Sequence, residues 1–390
     1  MWARQVRVAA RLAAAAAGAG AAWSITRTPA GCAEGAKTPP GSIAERVAPV
    51  EVEYPLDKVS FLPARSPGMR GRMEDFILGL QDEICSAIEA EDGGKFQEDQ
   101  WERSGHGGGG RSRVLQDSKH FEKAGVNVSV VHGKLPKAAV QQMKTRGREI
   151  FGDNPPFYAC GISLVMHPRN PHAPTVHANF RYFEVTSVNP ESGEEHTEWW
   201  FGGGADLTPN YLYEEDALHF HSVLADACNA ADESLYPRFK KWCDKYFFIK
   251  HRGEARGIGG VFFDDMDASE GSQEDMFAFV HSVGKSFVPA FVPILAARKN
   301  TPFTPEEVAW KRLRGGRYTE FNLVYDRGTK FGLHTPGARI ESILMSLPLH
   351  ADWKYCHEPE ASSREGRLME VLRNPRDWLG TSSSSDAEGR

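Results

Sequence analysis

The stretch His167-Pro-Arg-Asn-Pro-His-Ala-Pro-Thr-Val-His-Ala-Asn-Phe-Arg-Tyr-Phe-Glu184, with Glu198-Trp-Trp-Phe-Gly-Gly-Gly-Ala-Asp-Leu-Thr-Pro209 behind it, decides the reading of the chain. Pro168, Pro171 and Pro174 lack an N–H and restrict their predecessors, so the opening is neither helix nor central strand. Thr175 to Val185 is β-branched and aromatic with few breakers, which predicts a strand. Side chains alternate along a strand, so His177, Asn179 and Arg181 share one face and Val176, Ala178, Phe180 and Tyr182 the other. A proton donor, an amide and a guanidinium on one stiff face suit an anionic ligand, although a solvated sheet face uses the same residue types. Gly202-Gly203-Gly204 predicts a tight turn or a close backbone approach, with Asp206 near the end of a neighbouring strand.

The 390-residue chain has 41% hydrophobic residues and a net charge of −6. It is long enough to bury a sizeable core, and its charge predicts no nucleic-acid partner and no more than peripheral membrane association. The six cysteines (32, 85, 160, 228, 243 and 356) contain no Cys-x-x-Cys, and read as reduced, buried thiols. Residues 1–35 carry Arg4, Arg7, Arg11 and Arg27 among many alanines, with no acid before Glu34. That composition fits a transit peptide to the mitochondrion, with plastid targeting and a secretory signal as the competing readings. The apolar run Leu12 to Trp23 is too short to span a bilayer.

Residues 36–68 read as a linker and surface arm, and 381–390 as a polar tail. Between them, Met69 to Ala90 has apolar residues at helical spacing. Helices are also expected over 136–151, 211–226, 234–248, 272–298 (kinked at Pro289 and Pro293), 337–345 and 364–373. Another starts at Thr304 with Pro305 at its first position. Strands are expected over 111–132 (two, broken near Lys123-Ala-Gly125), 157–166, 259–264 and 318–325. Gly105 to Gly110 reads as a flexible loop without a phosphate-binding signature. Strands interleaved with helices predict an α+β fold.

The two quoted strings resemble signatures of the oxygen-dependent coproporphyrinogen-III oxidase family. The resemblance continues through Lys245 to Asp265, Arg317 to Leu333 and Thr335 to Pro348, and covers roughly residues 69–380 as one catalytic domain. It implies a single large antiparallel sheet flanked by helices on both faces. It further implies that two propionates of coproporphyrinogen III are converted to vinyls, giving protoporphyrinogen IX for haem synthesis. Positions matching the family's substrate contacts are Ser163, Asn179, Phe180, Arg181, Gly337, Ala338 and Arg339. His177 matches its proton donor. Asp206 matches a carboxylate that accepts from pyrrole N–H groups and stabilises charge as electrons leave, and Arg256 joins them as a catalytic residue.

The residue chemistry is compatible with those roles. Guanidinium binds carboxylate bidentately, which suits a four-carboxylate substrate, and imidazole exchanges protons near neutral pH. Taken singly, each arginine also reads as a surface ion pair, and Asp206 as a turn or helix cap before Thr208-Pro209. His219 and His221 point to different sides of their helix, so no metal site is expected there. No Gly-x-Gly-x-x-Gly follows a strand. The expected oxidant is molecular oxygen acting directly, without cofactor. The resemblance implies a homodimer, expected to use the 318–325 strand and the helix after Gly337. A porphyrin carrier without turnover is the rival reading.

Overall fold

The computed structural model describes residues 42–47, 49–103, 107–334 and 338–380. The strands are β1 (Gln97–Glu102), β2 (Gly108–Gln116), β3 (Phe121–Lys134), β4 (Pro156–Pro168), β5 (Thr175–Val188), β6 (Glu195–Thr208), β7 (Phe248–Ile249), β8 (Glu254–Ala255) and β9 (Gly259–Met266). Seven of them form one antiparallel sheet in the order β1-β2-β3-β4-β5-β6-β9, and β7 and β8 form a small hairpin. The helices are α1 (Ile43–Arg46), α2 (Gly68–Asp92), α3 (Lys137–Thr145), α4 (Glu214–Asn229), α5 (Leu235–Tyr246) and α6 (Gln273–Lys285). They continue with α7 (Phe287–Arg298), α8 (Pro305–Val324), α9 (Arg327–His334), α10 (Ile340–Leu344) and α11 (Arg364–Arg373). This is the expected α+β architecture.

The alternation along the strands separates two faces. Val126, Ile162, Leu164, Val176, Phe180, Ala205 and Phe263 lie on one face and are buried. They pack under α2, α4, α6 and α7, where Met73, Ile77, Phe220, Phe279 and Leu295 close the same core. Residues 273–298 are apolar enough to cross a membrane, but most of that run is buried in this core. The other face carries Ser112, Asn127, Ser163, His177, Asn179, Arg181 and Asp206. It is covered by α8, the β7–β8 hairpin and the segment around α10.

Several expected elements take a different form. Residues 318–324 belong to α8, not to a strand. A capping box between Thr304 and Glu307, with Pro305 at the helix start, nucleates a helix that runs through Gly315-Gly316. Tyr318, Phe321 and Asn322 then fall at helical spacing on a buried face, and this packing overrides the β propensity of the string. The 272–298 segment is two helices that meet at Ser286; Pro289 lies in the first turn of α7, where its missing N–H costs nothing. The break between β2 and β3 is at Asp117–His120, because Asp92 accepts from Ser118 Oγ and the His120 N–H there. The three glycines lie inside β6, and Gly108–Gly110 opens β2. The 136–151 helix ends at Thr145, and α10 keeps only five residues of the expected 337–345 helix.

Candidate active site

Register puts the central groups together. His177 pairs across β5–β6 with Asp206, Asn179 with Gly204 and Arg181 with Gly202. On the other side of β5, Ser163 of β4 pairs with Asn179. Ser163, His177, Asn179, Arg181 and Asp206 therefore share one face of three adjacent strands. Phe180 does not join them. Strand alternation turns its ring into the opposite core, where it is fully buried, so only its backbone reaches the site side.

Asp206 is 2% exposed and is held from two sides. His177 Nδ1 lies 2.7 Å from Oδ1. Arg256 Nη2 donates to both carboxylate oxygens, at 2.9 and 2.7 Å. Burial pushes the Asp206 carboxyl up, but the Arg256 charge and the His177 and Arg256 hydrogen bonds outweigh it and hold it below the ordinary value. An ionised carboxylate only accepts, so Nδ1 of His177 carries the hydrogen and Nε2 is the nitrogen that can exchange a proton with a ligand. This geometry rules out the turn-cap reading of Asp206, since the residue is mid-ladder and its side chain serves no helix end.

Arg256 follows the β7–β8 hairpin and is itself 3% exposed. Its Nη1 donates to Asn322 Oδ1 at 3.0 Å. Its guanidinium sits 4.1 Å from the Phe247 ring and 4.5 Å from that of Tyr318. The edge-on Phe247 ring also packs 5.8 Å from His177. Burial disfavours the Arg256 charge, yet Asp206 more than compensates and keeps the guanidinium firmly protonated.

Arg181 forms the partly open end of the site. Its Nη1 donates to Asn179 Oδ1 at 2.6 Å and its Nη2 to Asp264 Oδ1 at 2.7 Å. Arg327 reaches the other Asp264 oxygen at 3.3 Å. Burial raises the Asp264 carboxyl, but Arg181 and Arg327 win and hold it ionised. Arg181 and Arg327 together offer guanidinium donors on this side of the site, the group type that binds a carboxylate. Gly202 makes room for the Arg181–Asp264 pair, because a Cβ there would stand 2.6 Å from Arg181 Nη2 and 2.7 Å from Asp264 Oδ1.

Arg339 and Ala338 are not beside these groups, and Gly337 lies outside the described residues. Arg339 is ion-paired with Asp99 on edge strand β1. Asp99, Ser112, Asn127, Ser163 and Asn179 form one cross-strand row, so the Asp99 partner of Arg339 sits four strands from β5, about 19 Å at the usual strand spacing. A groove lined by Pro49, Phe76 and Phe277 lies on the α2–α6 side of the sheet, away from these groups.

The sequence model of the coproporphyrinogen III oxidase family matches residues 72–378. This chain belongs to that family. It is 56% identical over 328 residues to the oxygen-dependent coproporphyrinogen-III oxidase of Drosophila melanogaster, covering 83% of this chain and 82% of the relative. It is 54% identical to the mitochondrial enzyme of Homo sapiens (83% and 70%) and 53% identical to the chloroplastic coproporphyrinogen-III oxidase 1 of Arabidopsis thaliana (80% and 80%).

Within this coproporphyrinogen III oxidase fold, sequence reasoning missed Phe247, Asp264, Tyr318, Asn322 and Arg327 as partners of the central groups. Phe247 and Asp264 lie inside the Lys245–Asp265 string. The other three lie in Arg317–Leu333, whose strand assignment hid the helical spacing of Tyr318 and Asn322.

Proposed function

We propose that this chain oxidatively decarboxylates two propionates of coproporphyrinogen III to vinyls, giving protoporphyrinogen IX in haem biosynthesis. The reading is carried by the buried chain His177–Asp206–Arg256, which ends at an imidazole 20% open, on the same strand face as Arg181. Each propionate loses its carboxylate as carbon dioxide and one hydrogen as the vinyl forms, while dioxygen takes the two electrons released. Arg181 and Arg327 orient a propionate, and His177 Nε2 handles the proton. Asp206 sets the imidazole tautomer and favours positive charge developing nearby.

Dioxygen is the co-substrate and no metal or organic cofactor is used. That part is supported by the commitment of Asp206, whose two oxygens accept from Arg256 and one of them from His177. The mitochondrial intermembrane space is the proposed location, which the names of the mammalian relatives support as far as the organelle. The proposed homodimer uses helices, not a strand, at the end of α8. Membrane association is at most peripheral.

The test is to mix the protein anaerobically with coproporphyrinogen III and then admit air while product mass is followed. Loss of two carboxylates only after air is expected. Stable binding without any mass change would make the protein a carrier.

A further inference from the structure

Helix α8 turns an unusual face to the sheet. Lys311, Arg314, Tyr318 and Asn322, spaced three and four apart, are between 2% and 8% exposed. Asn322 serves Arg256. The other three border a small cavity together with Glu122, Thr208 and His350. Lys311 pairs with one oxygen of Glu122, and Arg314 Nη1 donates to Glu254 at 2.6 Å. The remaining buried atoms, Glu122 Oε1, Thr208 Oγ1, Arg314 Nε and Nη2, and Tyr318 Oη, have no hydrogen-bond partner among the described residues.

Buried polar groups left in this condition are costly, and four side chains bordering one space are not an accident of packing. The cavity has room for about one water molecule. Its orphaned atoms mix donors (Arg314, Tyr318) with acceptors (Glu122, Thr208), so water fits where an anion would face Glu122 and a cation would face Arg314. The location is informative. The Tyr318 ring supports Arg256, and Thr208 lies two residues beyond Asp206 on the same strand face. On the other side the cavity reaches the exposed His350.

The reaction proposed above, on which this inference rests, draws protons from solvent. A propionate R–CH2–CH2–COO⁻ gives R–CH=CH2, carbon dioxide, one proton and two electrons. Dioxygen accepting those two electrons consumes two protons and leaves at the level of hydrogen peroxide. One proton per vinyl is therefore drawn from solvent into a buried centre. We propose that the Glu122–Arg314–Tyr318–Thr208 cavity is a built water site that relays this proton from the His350 side toward Asp206 and His177. Its residues are positioning residues; none touches substrate.

The test uses Tyr318→Phe, which keeps the ring under Arg256, and Thr208→Val, which keeps the shape. Turnover in air is measured in H2O and D2O with thermal melts alongside. A relay predicts a kcat roughly tenfold lower and a larger solvent isotope effect in each variant, with KM little changed. It also predicts that the melting temperature falls on the order of 2 °C, because a satisfied hydroxyl is removed. Unchanged kcat and isotope effect would overturn the relay while leaving the proposed function standing. An unchanged or raised melting temperature would overturn the water site itself, even if the protein showed no turnover.

Discussion

At the scale of residues, the Asp206–Arg256 pair behaves as a unit. Asp206→Asn preserves size and removes the charge that matters for the proposed oxidation, so kcat should fall far more than KM. It also leaves Arg256 as an uncompensated buried charge, which typically costs about 3–5 kcal/mol. The informative comparison is with Asp206→Asn/Arg256→Met, which should regain most of the stability and none of the kcat. A folded Asp206→Asn enzyme with near-normal kcat would remove Asp206 from the mechanism. Arg181 and Arg339 are tested together. Losing one charge-assisted contact is worth about 1.5–3 kcal/mol, so each alanine variant should raise KM roughly ten- to a hundredfold if it grips a propionate. A normal KM for Arg339→Ala would assign that side chain to its Asp99 pair alone.

At the scale of elements, the β5–β6 register is what makes a site. Gly202 pairs with Arg181, and its missing side chain is the space in which Arg181 meets Asp264. Gly202→Ala should push the guanidinium off its partner, raising KM about tenfold and costing about 1–3 kcal/mol of stability by overpacking. Kinetics and a denaturant titration on this variant check both. Unaltered kinetics would show that the Arg181–Asp264 geometry is not needed for turnover.

At the scale of the whole molecule, histidines withdrawn from solvent weaken the fold in acid, His167 and His221 fully buried and His281 half-buried. Burial pushes His167 and His221 down to about 3 and His281 to about 4. The unfolded chain takes up their protons near the ordinary value of about 6.5 while the fold does not, so stability falls as pH drops from about 6.5 toward 4 and 3. Each contributes up to about 1.4 kcal/mol per pH unit in that window. Denaturant titrations at pH 7 and pH 5 should show the loss; equal stability would mean that the rings are reachable by protons in the fold. Assembly is read from Leu323, Val324, Phe331 and Ile340, which are 43%, 50%, 73% and 43% exposed on neighbouring helices. A two-fold dimer burying them should give twice the chain mass by light scattering at micromolar concentration, and Phe331→Glu should shift it toward the monomer. Turnover after exhaustive chelation is expected to persist. Loss of turnover restored by one particular metal would contradict the direct use of dioxygen.

Much of this was legible in the sequence because local rules suffice for it. Alternation along Thr175–Val185 put His177, Asn179 and Arg181 on one face and Phe180 on the other, against the substrate contact that the resemblance implied for its side chain. The helices with clear caps and apolar stripes, such as α2 and α11, were found within a residue or two of their ends. Long-range pairing decided the rest. The partners of Asp206 are 29 and 50 residues away, and those of Arg181 include a carboxylate 83 residues away; no spacing rule reaches across such distances. Residues 318–324 carry strand-like side chains, yet a cap at Thr304 and a buried face set by the sheet make them helix. The same packing buried a charged stripe of α8 against the sheet, a placement that composition argues against and that only neighbours from other strands can sustain.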